Sequence, residues 1–256
     1  MCGIAGRFGT EALDPARERR ALDLMANRGP DGEGVYRAEA LGGQLALLHT
    51  RLSIVDLDAR SDQPFVKGGL ALVFNGEIYN HPELRAELEA EGARFTTTGD
   101  TEVVLEAVRH WGRDALDRFE GMFAFALYDA RRGHLMLARD RFGEKPLYWT
   151  IASDGALVFA SEIKVLAAIT GEKPVVDETQ LRRYLVNGYK ALLTTRRTFY
   201  RDIHDFPAAA VAELDRPQAP APRSYWQLAY RPDETMTAEQ AIEGARERVH
   251  RAIALR

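Results

Sequence analysis

The sequence predicts an α+β fold in which two antiparallel sheets pack on one another beneath covering helices. Three observations carry this. From Met122 onward, four apolar segments (MFAFALYD, HLMLARD, PLYWTI and ALVFAS) follow one another across short polar turns such as Arg131-Arg132-Gly133 and Ser153-Asp154-Gly155. Before them, further strand-like runs alternate with two or three helical segments in irregular blocks. No regular βαβ repeat is present, so the pattern suits packed antiparallel sheets rather than a parallel one.

The elements follow in order. CGIAGRF, from Cys2, is short and apolar and reads as a strand. Residues 15 to 27 read as a helix: Asp14 can cap it, Pro15 suits its first position, and Leu22 and Met25 supply a packing stripe. NRGPDGEG at 27–34 reads as a loop, QLALLHTRLSIVDL as two strands meeting near His49 to Arg51, and DARSDQPF as another loop. Leu70 to Phe74 is a buried-strand run expected to stop at Asn75-Gly76. A helix should follow, with Asn80 as N-cap and Glu83 completing a capping box, Leu84 and Leu88 facing the core, and Gly92 ending it. Val104, Val108 and Trp111 mark a second helix after Asp100.

The composition changes after about residue 170. GEKPVVDET reads as a linker, Leu181 to Tyr189 as a short helix, and the Pro/Ala segment 215–224 as neither central strand nor helix. Residues 238 to 255 form a strong amphipathic helix with Ile242, Ala245, Val249 and Ile253 on one face, which needs a partner. The expected division is a first domain over 1–166, and a linker with the beginning of a second domain over 167–256.

A net charge of -4 gives no overall basic surface, so a nucleic-acid binder is not expected. The Arg182-Arg183 and Arg196-Arg197 pairs read as solvated surface. The single cysteine rules out an intrachain disulfide, and the six scattered histidines make no zinc pattern. No apolar run approaches a bilayer span and no signal peptide is evident, so a cytoplasmic enzyme is the expectation.

Cys2 carries the chemistry. Removal of Met1 would leave it with a free α-amine, whose reference pKa of about 7.7–8.0 lies near that of the thiol at about 8.5. That amine can act as general base for its own side chain, directly or through water. The alternative is a buried, inert thiol on a first strand. Asn75 and Gly76 can supply an oxyanion hole through a side-chain NH₂ and a backbone N–H, or be a hairpin turn. Arg51, between two apolar stretches, suits a substrate carboxylate or an ordinary salt bridge. Asp100 can hold a substrate ammonium or cap its helix. ARDRFGEKPLY, from Ala138, reads as a structured turn.

Taken together, MCGIAG, NRGPDG at 27–32, RLSIVDL at 51–57, FNGEIYN at 74–80, TGDTEV at 98–103, GMFAFALYD at 121–129, LARDRFGEKPLY at 137–148 and FASEIKVL at 159–166 resemble the N-terminal part of the glutamine-hydrolysing asparagine synthetases. The resemblance implies the four-layer αββα sandwich of the N-terminal nucleophile hydrolases. It implies L-glutamine as substrate, Cys2 as nucleophile, Asn75 and Gly76 at the oxyanion, Arg51 at the substrate carboxylate, and Glu77 and Asp100 at its amino end. No cofactor is implied for glutamine hydrolysis. An ATP-pyrophosphatase-type synthetase domain, using ATP and Mg²⁺ to make asparagine, would receive ammonia through a tunnel. Its SGGLDS signature is absent from this sequence. Homodimers are common in such relatives. The alternatives are an ammonia acceptor other than aspartate, in a cell-surface sugar or secondary-metabolite pathway, or a non-catalytic binding domain that keeps the fold.

Overall fold

The structure is a computed structural model that describes residues 1–40, 42–193 and 197–256. Among the described residues, twelve strands and eight α-helices follow one another: β1 (Gly3–Gly9), α1 (Pro15–Met25), β2 (Gly32–Ala40), β3 (Gly43–Arg51), β4 (Phe65–Lys67), β5 (Leu70–Ile78), α2 (His81–Ala90), α3 (Asp100–Trp111), α4 (Ala115–Arg118), β6 (Gly121–Asp129), β7 (His134–Arg139), β8 (Tyr148–Ile151), β9 (Leu157–Ala160), α5 (Ile163–Thr170), α6 (Glu178–Asn187), α7 (Lys190–Leu193), β10 (His204–Asp205), β11 (Ala210–Leu214), β12 (Arg223–Ser224) and α8 (Ala238–Ala254). They build two six-stranded sheets, β10-β8-β9-β1-β3-β2 and β12-β11-β7-β6-β5-β4, whose pairings are antiparallel throughout.

The period of two in the strands sorts side chains into layers. In β3, Leu45 and Leu47 enter the core between the sheets, while Ala46 and Leu48 face α1 and α5. In β5, Ala71 and Val73 join that same inter-sheet core, while Leu72 and Phe74 face α2 and α3. Three apolar layers therefore separate four structural ones, the predicted αββα sandwich. Each wholly buried Leu or Phe contributes about 1.5–3 kcal/mol.

Helix α1 starts as expected, with the Asp14 carboxylate accepting from the Arg17 N–H at 3.0 Å. Leu84 and Leu88 of α2 and Val104 and Val108 of α3 are buried as their spacing requires. Helix α6 begins before Leu181, because Asp177 caps it through the Thr179 and Gln180 N–H groups.

Several local expectations are corrected. Residues 32–40, read partly as loop, form β2, which pairs with the whole length of β3. Only the first half of QLALLHTRLSIVDL is strand, and the chain leaves the sheet after Arg51. β5 does not stop at Asn75-Gly76 but runs through it, paired with Ala124 and Phe123 of β6. Asn80 occupies the N-cap position without capping. Its amide instead donates to Arg118 O at 3.0 Å and accepts from Glu120 N at 2.9 Å, so a tertiary partner outcompetes the local one. Asp100 is the first residue of α3, and Gly99 stands at its N-cap.

β10 to β12 come from beyond residue 166, the expected end of the first domain, and complete both sheets. α8 reaches the first domain through an exposed pair of Arg251 with Glu120 at 2.9 Å, and leaves Ile242, Val249 and Ile253 exposed. Arg182 and Arg197 are exposed, Arg183 is half-buried, and Arg196 lies outside the described residues. No helix of the described chain is long and apolar enough to cross a membrane.

Candidate functional site

The site lies where one end of each sheet meets the other. β1 and β3 pair as far as Gly3 with Thr50, so Cys2 emerges beside the point where the chain leaves β3. The Cys2 thiol donates to Leu52 O at 3.7 Å and accepts from Leu52 N at 3.4 Å. Arg28 Nε donates to Cys2 O at 2.9 Å and fixes the backbone there. Burial pushes the Cys2 thiol above its ordinary range, so nothing around it makes a standing thiolate. The nucleophile needs a base at the moment of attack. The chain's amino end borders the same pocket. With Met1 present, its amine is held below the usual α-amine range, first by burial and then by the charges of Arg28 and Lys145.

The opposite wall is β5, and its edge explains the Asn75-Gly76 pair. β4 covers β5 only as far as Leu72. Beyond it, the N–H groups of alternate residues point away from β6. Phe74 N donates to Gln63 Oε1 at 2.6 Å, and Ile78 N donates to Asp100 Oδ2 at 3.0 Å. The alternation puts the Gly76 N–H on this same edge, between those two anchored groups, where Gly76 lines the pocket. A side chain at Gly76 is impossible here, since a Cβ would stand 2.4 Å from Met122 O. Asn75 is 1% exposed, yet neither atom of its amide has a hydrogen-bond partner among the described residues. An orphaned buried amide costs about 1–3 kcal/mol and points to a ligand group that it awaits.

The charged residues complete the pocket. Arg51 lines it, and its guanidinium also holds the loop after β3, pairing with Asp62 at 2.6 Å and donating to Asp58 O at 3.1 Å and to Asp56 O. The salt-bridge reading of Arg51 is thus met, on a side chain that also borders the pocket. Glu77 borders the pocket half-buried, and Asp100 borders it buried. Burial raises the Asp100 carboxyl above its usual range despite the Ile78 hydrogen bond.

All six residues singled out from the sequence, Cys2, Arg51, Asn75, Gly76, Glu77 and Asp100, border one cavity. Sequence reasoning missed Gln63, Lys145 and Arg28. Arg28 stood inside the NRGPDG block. Lys145 lies within the expected turn at 138–148. The buried Asp140 carboxylate organises that turn by accepting from the N–H groups of Phe123, Phe142, Glu144 and Lys145. Gln63 gave no signal, because its partners, the Phe74 N–H and the Thr101 hydroxyl, are distant in sequence. Among the described residues no group of three or more His, Cys, Asp or Glu side chains could hold a metal ion.

Comparison with known proteins agrees with this fold. The family model described as a glutamine amidotransferase domain matches residues 1–226. A putative glutamine-hydrolysing asparagine synthetase of Mycobacterium tuberculosis is 39% identical over 84% of this chain, which covers 35% of that protein. Amidase chyE of Penicillium rubens is 34% identical over 100% of this chain and 39% of its own length. The chain thus spans little more than a third of the curated relatives it matches. Among solved structures, the glutamine phosphoribosylpyrophosphate amidotransferase of Bacillus subtilis matches with a TM-score of 0.65 at 20% identity, covering 89% of this chain and 50% of that one. That likeness shows a shared fold. With the sandwich, the pocket and the match over 1–226 in agreement, the chain belongs to the glutamine amidotransferase domain family, in the group that includes the glutamine-hydrolysing asparagine synthetases.

Proposed function

We propose that this chain hydrolyses L-glutamine to L-glutamate and ammonia at Cys2 once Met1 has been removed. The Cys2 amine takes the thiol proton, and Sγ attacks the side-chain carbonyl carbon of glutamine. Asn75 Nδ2 and the Gly76 N–H stabilise the resulting oxyanion. The protonated amine passes its proton to the leaving nitrogen, which departs as ammonia from a γ-glutamyl thioester. Water, deprotonated by the same amine, then attacks the thioester, and glutamate leaves as the thiol is restored. Arg51 binds the substrate carboxylate, while Glu77 and Asp100 bind its ammonium. The hydrolysis as drawn uses no cofactor.

The observation that carries this reading is the unpartnered Asn75 amide in the wall of the pocket that also holds Cys2. Its test is glutamate and ammonia release from L-glutamine, with the N-terminus verified as Cys2 by intact mass and Cys2→Ala as control. Turnover that survives Cys2→Ala would remove the nucleophile from the scheme.

The finer reading concerns the whole protein. We place the amidotransferase domain at residues 1–226, since β10 to β12 belong to its sheets, and take 227–256 as the start of a second domain. That domain would use ATP and Mg²⁺ to amidate aspartate, receiving ammonia through a tunnel, in a chain that could pair as a homodimer. No residue described here is assigned to ATP or Mg²⁺. Similarity to amidase chyE over the full chain favours a second reading, an acceptor other than aspartate. An acceptor screen with the full-length protein separates the two. A reducing, cytoplasmic setting suits an unpaired thiol nucleophile.

A further inference from the structure

We propose that Gln63 is a positioning residue for the oxyanion hole, acting through the backbone of β5. This rests on the glutaminase reading above. Where β4 ends, β5 keeps β6 on one side and, among the described residues, has no strand on the other. Two buried side chains take over the missing strand's hydrogen bonds. Gln63 Oε1 accepts from Phe74 N at 2.6 Å, and His49 Nε2 donates to Phe74 O at 3.3 Å. Both sit at the residue that immediately precedes Asn75. Asp100 anchors Ile78 on the far side, so Gly76 is held two residues from a fixed point in each direction.

The other end of the Gln63 amide is also engaged. Nε2 donates to Thr101 Oγ1 at 3.4 Å, next to Asp100 on α3. Both ends of the Gln63 amide are thus engaged by the protein, although the residue borders the pocket. It couples the strand that carries the oxyanion donors to the helix that carries the proposed ammonium-binding carboxylate. A buried polar side chain bonded at both ends to its own protein, beside an Asn75 amide with no partner among the described residues, is the division of labour expected of a support and the group it supports.

Such a support affects the transition state more than substrate binding. The oxyanion forms only during reaction, and donors must lie near 2.7–3.1 Å from it. A displacement of about 1 Å can cost about a hundredfold in rate.

The test is Gln63→Leu in the full chain, with kcat expressed per folded molecule, taken from the gel-filtration peak that elutes with wild type and matches its circular dichroism. Wild-type turnover of glutamine comes first: its absence would sink the glutaminase reading and not the support. Given turnover, kcat should fall about 10- to 100-fold. The γ-aldehyde of glutamate adds the Cys2 thiol across its carbonyl, forming the S–C bond and moving the thiol proton to oxygen. Its inhibition constant should rise by the same factor. Binding of L-glutamate, which makes no tetrahedral adduct, should stay within about twofold. A kcat per folded molecule within about threefold of wild type would overturn the proposal. So would parallel losses of aldehyde and glutamate binding, which would make Gln63 a general scaffold residue. If Gln63→Leu does not fold, Gln63→Glu decides. Its carboxyl oxygen still accepts from Phe74 N, and kcat should stay within about tenfold of wild type, with a larger loss counting against the proposal.

Discussion

Replacing Asn75 with alanine should move activity and stability in different directions. Asn75 is 1% exposed, and both amide atoms lack a partner. In the unliganded protein that amide is a cost of about 1–3 kcal/mol rather than a stabilising contact. Deleting it relieves this, and the space left opens onto the pocket rather than forming a sealed cavity. Stability should therefore be unchanged or higher by about 1 kcal/mol, which is about 2–4 °C in Tm for a domain of this size. Catalysis should suffer, because removing one oxyanion donor costs about 100- to 1,000-fold in kcat, or about 2.7–4 kcal/mol of transition-state stabilisation. KM should change little, since the developing charge is absent from the ground state. The assay pairs steady-state glutamate release with thermal unfolding of the same preparations. A kcat loss below tenfold would refute the oxyanion role. A drop in Tm of several degrees would refute the claim that the amide waits unpaired.

Two pH predictions follow from the buried groups. Burial holds His49 at about 3, against a free value near 6.5, so between those values the unfolded chain binds a proton that the folded one does not. Stability contributed by neutral His49 is complete above 6.5 and is lost as pH falls, by about 2 kcal/mol between pH 7 and 5. Urea unfolding of His49→Gln should lack this share of the decline, and equal declines in both proteins would contradict it. Asp100, raised by burial, should protonate above the usual carboxylate range. KM for glutamine should accordingly climb as pH falls toward that range, and a flat KM down to pH 4 would remove Asp100 from ammonium binding.

The sequence by itself determined the layering and the chemistry. Apolar runs in MFAFALYD and its neighbours, broken by short polar turns, marked β6 to β9, and helical spacing of Leu84, Leu88, Val104 and Val108 set the cover. These are local properties, readable because backbone geometry converts sequence period into direction. The six site residues were legible because each stands in a block of unusual composition. Tertiary structure decided where local signals competed. Asn75-Gly76 reads as a turn, yet pairing with β6 carries the strand through it and leaves only room for glycine. Asn80 reads as a cap, yet residues 118–120 claim its amide. β11 lies some seventy positions beyond the β7 strand it pairs with, and no window of sequence predicts that neighbour. Gln63 matters for the same reason: its partners, Phe74 N and Thr101, become neighbours only when both sheets have closed. Pairings between distant segments depend on which backbone edges remain unsatisfied after the chain has collapsed, and that is a property of the packed whole.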